Sequence, residues 1–388
     1  MIQEIAVLTP LYVCAFWGLV FLNSNKNKNR ARYFLGFFMV AAFFLYLGHS
    51  LFFIGRFDLY IHYDPLYITT SLLVYPMYYQ YIRLLTVDTR WNGKYLLHYI
   101  PALIIGISVF LLHQIVHNEI HFSNQQYFKE SYNLSIDFTS PFFLNRLVYG
   151  FHRAIFLAQV VGYFFGGYFL IIKYRVQVKD YYSNFENRSM IWVNNILFTL
   201  AIVSALSFVF NIIGKFTFLQ EEKLLLIPSM LFSGVIFLLG YLANGQNQVI
   251  REIVQSDLTE SQSRVNAEPL NEKIDLKLRN LFTKEKIHLK PDLKIWDVTG
   301  MLGTNRTYLS NYINKNYGVN FSMFVNSFRV ADAKQLLEEK EGSLYSLEVI
   351  GEKCGFGSYN NFIRVFRELE NITPGRYRDI HKVPMPGK

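Results

Sequence analysis

The first 243 residues of this 388-residue chain are organised by long apolar runs, and the remainder by an apolar period close to 3.6. A helix that crosses the hydrocarbon core of a bilayer needs about 20 predominantly apolar residues. Seven stretches meet or approach that length, near Ile5–Leu22, Tyr33–Ile54, Pro65–Ile82, Tyr95–Val116, Leu147–Ile172, Ile191–Ile213 and Leu224–Ala243. The last run stops at Asn244-Gly-Gln-Asn-Gln, and polar sequence of mixed charge continues to Pro269. Within it Val249, Ile250, Ile253, Val254 and Leu258 keep a helical spacing, which suits a short signalling helix or a weak dimer-forming coil as well as a plain tether. From Leu270 the helical period returns without a strand pattern. The expected fold class is all-α: a seven-helix transmembrane bundle over 1–243, a linker over 244–269, a soluble helical domain over 270–380 and a tail over 381–388.

Composition agrees with a chain in contact with lipid. It is 52% hydrophobic and 17% charged, with 36 Phe and 27 Tyr, a balance unlike that of soluble domains. With only Cys14 and Cys354, a secreted disulfide scaffold is excluded. Lys and Arg are retained on the cytoplasmic side of a membrane. Alternate loops hold eleven of them (Lys26, Lys28, Arg30, Arg32, Arg83, Arg90, Lys94, Lys173, Arg175, Lys179 and Arg188), against five on the other side (Arg56, Lys129, Arg146, Lys215 and Lys223). Seven spans then put the N-terminus outside and the linker and soluble domain in the cytoplasm, in a bacterial inner membrane. The start of the chain has neither a basic stretch nor a small-residue cleavage site, so no removable signal peptide is expected.

Two sets of polar residues in this region carry candidate chemistry. Arg153, the one fixed charge well inside a predicted span, and its neighbour His152 are candidates for a signal pocket, with structural pairing as the alternative. Asn194, Asn195, Asn211 and His49 are polar enough to line the same interior. His113, His117 and His121 recur every four residues, which places three imidazoles on one helical stripe if the helix continues. That spacing can hold zinc or copper or sense pH, whereas interfacial histidines in an outer loop are the simpler account. No metal or cofactor is expected.

The soluble region contains two similar segments. The first reads Ile295-Trp-Asp-Val-Thr-Gly-Met-Leu-Gly303 followed by Thr304-Asn-Arg-Thr-Tyr-Leu-Ser-Asn-Tyr-Ile313. A helix-turn-helix needs a small residue where its helices cross, a Gly four positions later for the left-handed turn, and apolar anchors on the second helix. Thr299, Gly303, Leu309 and Ile313 supply these. The arrangement returns 52 residues later as Leu347-Glu-Val-Ile-Gly-Glu-Lys-Cys-Gly355 and Phe356-Gly-Ser-Tyr-Asn-Asn-Phe-Ile-Arg-Val-Phe366, with Gly351, Gly355, Phe362 and Phe366 in the same roles. Between them Phe321–Lys340 lacks Gly and Pro and predicts one helix of about 20 residues, about 30 Å long. That length can hold two recognition helices about one DNA turn apart.

Residues 270–380 resemble the DNA-binding domain of the AraC/XylS family of bacterial transcription regulators. The matching features are Tyr308-Leu-Ser followed by Gly318, the connecting stretch Phe324–Leu337, Gly355-Phe356 with Ser358, Phe362 and Phe366, and Thr373-Pro374 with Tyr377-Arg378. The family usually has Ala where this chain has Thr299 and Gly351. The resemblance implies that Arg306, Thr307, Ser310 and Asn311 of the first recognition helix face DNA, with Tyr359, Asn360, Ile363, Arg364 and Arg367 of the second. Asn311 and Asn360 suit adenine, Arg364 guanine and Ile363 a thymine methyl. Arg306, Lys315, Arg367, Arg376 and Arg378 suit phosphates, as do the backbone amides beyond Asn305 and Ser358 at the helix starts.

These readings lead to a membrane-bound regulator that couples an unidentified signal to promoter binding, with double-stranded DNA and the bilayer as partners and a homodimer compatible with the linker. The alternative is a membrane receptor whose helical domain binds a protein. No phosphate-binding glycine loop, nucleophile elbow or cysteine metal site points to an enzyme.

Overall fold

The computed structural model describes residues 2–24, 29–86, 93–119, 123–133, 137–184, 190–220, 225–245, 272–339 and 345–381. The expected linker from 246 to 269 and the tail beyond 381 lie outside them. The described residues form helices and turns without a named strand, and an isolated antiparallel bridge joins Tyr182 to Lys294. Contacts divide the chain into two units, Met1–Ile171 with Trp192–Gln248, and Ile172–Ile191 with Val249–Lys388. The short stretch after the fifth apolar run thus packs with the second unit.

The first unit contains α1 (Ile2–Leu22), α2 (Arg30–Phe53), α3 (Phe57–Thr86), α4 (Ile100–Glu119), α5 (Asn124–Ser131), most of α6 (Phe143–Tyr181), α7 (Met190–Ile213), α8 (Lys215–Gln220) and α9 (Leu226–Asn244). Its packing runs α9 on α1, α1 on α2, α2 on α3 and α3 on α4. Among the described residues five helices are long and apolar enough to cross a membrane: Glu4–Leu22, Arg30–Phe53, Gly93–Ile115, Phe143–Tyr181 and Leu226–Asn244. The count is lower than the seven expected. In α3 the apolar run is diluted by Asp58, Asp64, Arg83 and many tyrosines, while α7 is itself 24 residues of largely apolar sequence in whose first half several side chains lie outside the described residues. Ile100, Leu103, Ile104, Ile107, Leu111 and Ile115 make an exposed stripe along α4. A patch of that kind is costly against water and costless against lipid tails.

The second unit contains α10 (Glu272–Thr283), a 3₁₀ turn at Ile287–Leu289, α11 (Ile295–Leu302), α12 (Arg306–Tyr317), α13 (Phe321–Glu338), α14 (Leu347–Lys353), α15 (Tyr359–Glu370) and α16 (Pro374–His381). The connecting helix α13 is 18 residues long, about 27 Å at the α-helical rise. Its first half packs Phe324 against Phe282, Tyr317 and Phe328. Its second half contributes Val330, Ala333 and Leu337 to a core with Ile350, Phe362, Phe366 and Tyr377. Each of these large side chains removed from water contributes about 1.5–3 kcal/mol, so both motifs are held by the one helix between them.

Candidate nucleic-acid interface

In the first motif Ile295, Val298 and Leu302 form the buried face of α11, and Thr299 is buried among them. Asp297 Oδ2 accepts the Lys294 backbone N–H at 3.0 Å and secures the start of the helix. Gly303 ends it with φ +67, a conformation that a side chain disfavours. Asn305 then caps α12 by accepting the Tyr308 N–H at 2.8 Å. Leu309 and Ile313 anchor α12 inward. Tyr312 donates to Asp275 Oδ1 at 2.6 Å and ties it to α10; this bond, followed by that from Arg279, holds the Asp275 carboxyl below its usual range. The opposite face presents Thr307, Asn311 and Lys315, which are exposed, while Arg306 and Ser310 are half-buried.

The second motif repeats this construction. Ser346 caps α14 through the Val349 N–H at 3.2 Å, and Ser358 caps α15 through the Asn361 N–H at the same distance. At the crossing, a Cβ on Gly351 would lie 3.1 Å from the Phe362 ring. The turn residue Gly355 has φ +84, and a Cβ there would meet the carbonyl oxygens of His288 and Leu289 at 2.6 Å. Phe362, Val365 and Phe366 point inward, and Tyr359, Asn360, Arg364 and Arg367 are exposed. Ile363 is partly buried against the core. Arg364 donates to Glu368 Oε2 and Asn361 Oδ1, each at 3.0 Å. Arg376 is exposed, whereas Arg378 is half-buried and donates to the Tyr345 carbonyl at 3.1 Å, holding α16 to the start of the second motif.

Sequence reasoning missed Arg329. Fully buried on α13, it donates to the His288 carbonyl at 2.7 Å, the Lys290 carbonyl at 2.8 Å, and Asn326 Oδ1, Asn184 Oδ1 and Ser183 Oγ at 3.1 Å each. Burial lowers its pKa to about 9, so it stays charged at neutral pH. A polar stripe of Ser322, Asn326 and Arg329 on the otherwise apolar face of α13 was the available signal.

The polar residues of the first unit divide between hydrogen bonds that join helices and the lining of a cavity. His152 is buried with Nε2 2.8 Å from Ser71 Oγ. Arg153 donates to the carbonyls of Asn211 at 2.6 Å and Ile212 at 3.4 Å, satisfying the last turn of α7. Neither lines the cavity of about 200 Å³, whose polar lining includes Tyr46, His49, Ser71, Asn211 and Lys215. Asn195 is half-buried, and the side chain of Asn194 lies outside the described residues. Arg153 is not the only charge at depth. Asp64 is fully buried and accepts from Tyr60 at 2.7 Å, Tyr132 at 3.3 Å and Tyr149. His113 Nε2 lies 3.6 Å from its Oδ2, and Lys215 Nζ donates to Tyr60 at 3.0 Å and sits 3.4 Å over the Tyr67 ring. The His117 side chain and His121 lie outside the described residues, among which no group of three or more His, Cys, Asp or Glu is placed to hold a metal.

Residues 298–380 match the family model described as a helix-turn-helix domain. The chain is similar to the HTH-type transcriptional regulator YtdP of Bacillus subtilis, 33% identical over 114 residues, covering 28% of this chain and 14% of the relative. It is similar to the regulatory protein PocR of Salmonella typhimurium, 31% identical over 104 residues, covering 27% and 33%. YfiF, a further HTH-type transcriptional regulator of Bacillus subtilis, is 31% identical over 106 residues, covering 26% and 32%. The chain thus spans a third or less of the length of these relatives. No solved structure matches it. The domain and the relatives' names are those of transcriptional regulators, not of enzymes.

Proposed function

We propose that this chain is a membrane-embedded, one-component transcription regulator that reads promoter DNA with both helix-turn-helix motifs. The observation that carries the reading is the repeat itself: two motifs, each with a left-handed turn glycine and an outward polar face, packed on one connecting helix. Thr307, Ser310, Asn311, Tyr359, Asn360, Ile363 and Arg364 are assigned to base edges and the adjoining backbone. Asn311 and Asn360 match adenine, Arg364 guanine and Ile363 a thymine methyl. Arg306, Lys315, Arg367, Arg376 and Arg378 are assigned to phosphates, where they add affinity but no sequence information. The protein would span a bacterial inner membrane seven times, with the N-terminus outside, a sensor over 1–243, a linker over 244–269 and the DNA-binding domain over 270–380 in the cytoplasm. The exposed apolar stripe on α4 supports lipid contact. His152 and Arg153 join α6 to α3 and α7, so a signal that binds two packings of these helices unequally would shift them. Homodimerisation through the linker would let paired sites be read.

The test is binding of the full chain in lipid nanodiscs to genomic fragments at several salt concentrations, beside Arg364→Ala. Tight binding to few fragments, steep weakening with salt and lost discrimination in the variant are expected. Uniform weak binding that ignores Arg364 would move the domain to a protein-binding role.

A further inference from the structure

The four residues at and beyond the end of α6, Tyr181–Asn184, lie in the second unit and touch both helix-turn-helix motifs. Tyr182 and Ser183 are fully buried. The Ser183 N–H donates to the Leu293 carbonyl at 3.1 Å, just before the first motif. Its own carbonyl accepts from Ser322 Oγ at 3.0 Å, and its hydroxyl accepts from Arg329 at 3.1 Å. Asn184 uses its whole amide. Oδ1 accepts from Arg329 at 3.1 Å and from Asn361 Nδ2, on the second recognition helix, at 2.8 Å. Nδ2 donates to the Gly355 carbonyl at 3.2 Å, in the second turn, and to the Pro291 carbonyl. At the other motif the Arg306 guanidinium faces the Tyr181 ring, 5.6 Å from its centroid.

From this geometry we infer that Tyr181–Asn184 is an autoinhibitory strap that competes with DNA for the N-terminal ends of both recognition helices. The inference rests on the DNA-binding reading. A recognition helix enters the major groove with its N-terminal residues leading. The strap lies against Arg306, the first residue of α12, and against Gly357 and Asn361 at the start of α15, while Thr307, Asn311, Tyr359 and Asn360 stay exposed, so what it contests is the leading end of each recognition helix and not the outward face. An Arg306 guanidinium held over Tyr181 is not also on a phosphate. The strap is moreover the continuation of α6, the helix that carries His152 and Arg153, so a shift of that helix on sensing would act on the strap directly. The occupant of the surface is therefore a segment of this same chain, and its release frees both reading helices together.

A disulfide tests this, because a Cβ on Gly357 would stand 3.6 Å from Asn184 Cβ, within the range of about 3.5–4.5 Å that a disulfide spans. The native Cys14 and Cys354 are buried. The full chain carrying Asn184→Cys and Gly357→Cys is placed in nanodiscs, oxidised mildly, and the 184–357 linkage confirmed by peptide mass. The oxidised protein is expected to bind its DNA fragments at least about tenfold more weakly than after reduction, since apparent affinity falls with the competent fraction. Asn184→Ala, which removes bonds to the charged Arg329 and to Asn361, is expected to tighten binding about tenfold. A complete crosslink that leaves affinity unchanged overturns the proposal. So does a cysteine pair that stays unlinked in protein that still binds DNA, or an Asn184→Ala variant that binds no more tightly than the parent. If the linkage forms but no form of the protein binds any fragment, the DNA-binding reading itself fails and the competition falls with it.

Discussion

The two turn glycines occupy equivalent positions and have different surroundings, so replacing each by Ala separates two physical terms. Gly303 has φ +67 and a Cβ there meets nothing within 4 Å. Gly303→Ala therefore carries only the left-handed backbone penalty, about 1–2 kcal/mol. Gly355 has φ +84, and its Cβ would meet two backbone carbonyl oxygens of the 3₁₀ turn at 2.6 Å. Backbone cannot swing aside as a flexible side chain can, so an overpacking term of about 1–3 kcal/mol is added. Gly355→Ala should then cost about 2–5 kcal/mol, a large share of the roughly 5–15 kcal/mol that holds a domain folded. The assay is hydrogen exchange of the buried amides of α13 in the solubilised full chain, which reads the opening free energy of the DNA-binding unit. Gly355→Ala should lower protection by about 5- to 140-fold more than Gly303→Ala, taking 1.4 kcal/mol per tenfold. Equal losses would refute the argument, because they would mean that the carbonyls of His288 and Leu289 do not crowd the second turn.

Three further outcomes are expected. Lys315→Ala should weaken binding to all fragments alike and reduce the salt slope by about one, whereas Arg364→Ala should cost about 1–3 kcal/mol at its preferred base and relax selectivity there; a Lys315 variant that changes sequence preference would contradict these roles. Asp64→Asn should lower the melting point of the solubilised chain by turning one of the two carboxylate oxygens that accept from three phenols into an NH2 donor, about 2–5 kcal/mol, and its effect should be non-additive with Lys215→Met in a double-mutant cycle. Burial of His288 keeps its imidazole from protonating at the usual pH. Its neutral form is favoured on folding, so stability is full above the unfolded value of about 6.5 and declines as pH falls through it. Exchange protection near α13 should therefore drop between pH 7.5 and 5.5, and a flat profile in the parent, or an equally steep one in His288→Gln, would count against the assignment.

Legibility in the sequence followed the range of each interaction. The apolar anchors Leu309, Ile313, Phe362 and Phe366 were readable because a helix repeats its inward face every three to four residues, and all four are buried. Gly303 and Gly355 were readable because a left-handed turn is a local demand, and both have positive φ. The expected helix at 321–340 appears as Phe321–Glu338. The count of membrane-length helices was less secure, since Asp64 and the tyrosines of α3 make a buried helix that does not look apolar.

What the chain's order of residues determined on its own is the all-helical character, the apolar runs and the tandem motifs with their turns, because these arise from periodicity and backbone conformation over a few positions. Tertiary structure alone decided what the isolated polar residues do. Arg153, a pocket candidate by depth, closes the end of α7. Asp64 becomes the centre of a phenol cluster with partners up to 85 residues away. Arg329 holds Asn184 across 145 positions. A buried charge takes its role from the groups that desolvate it and satisfy its hydrogen bonds, and those groups are brought together only when the chain has folded.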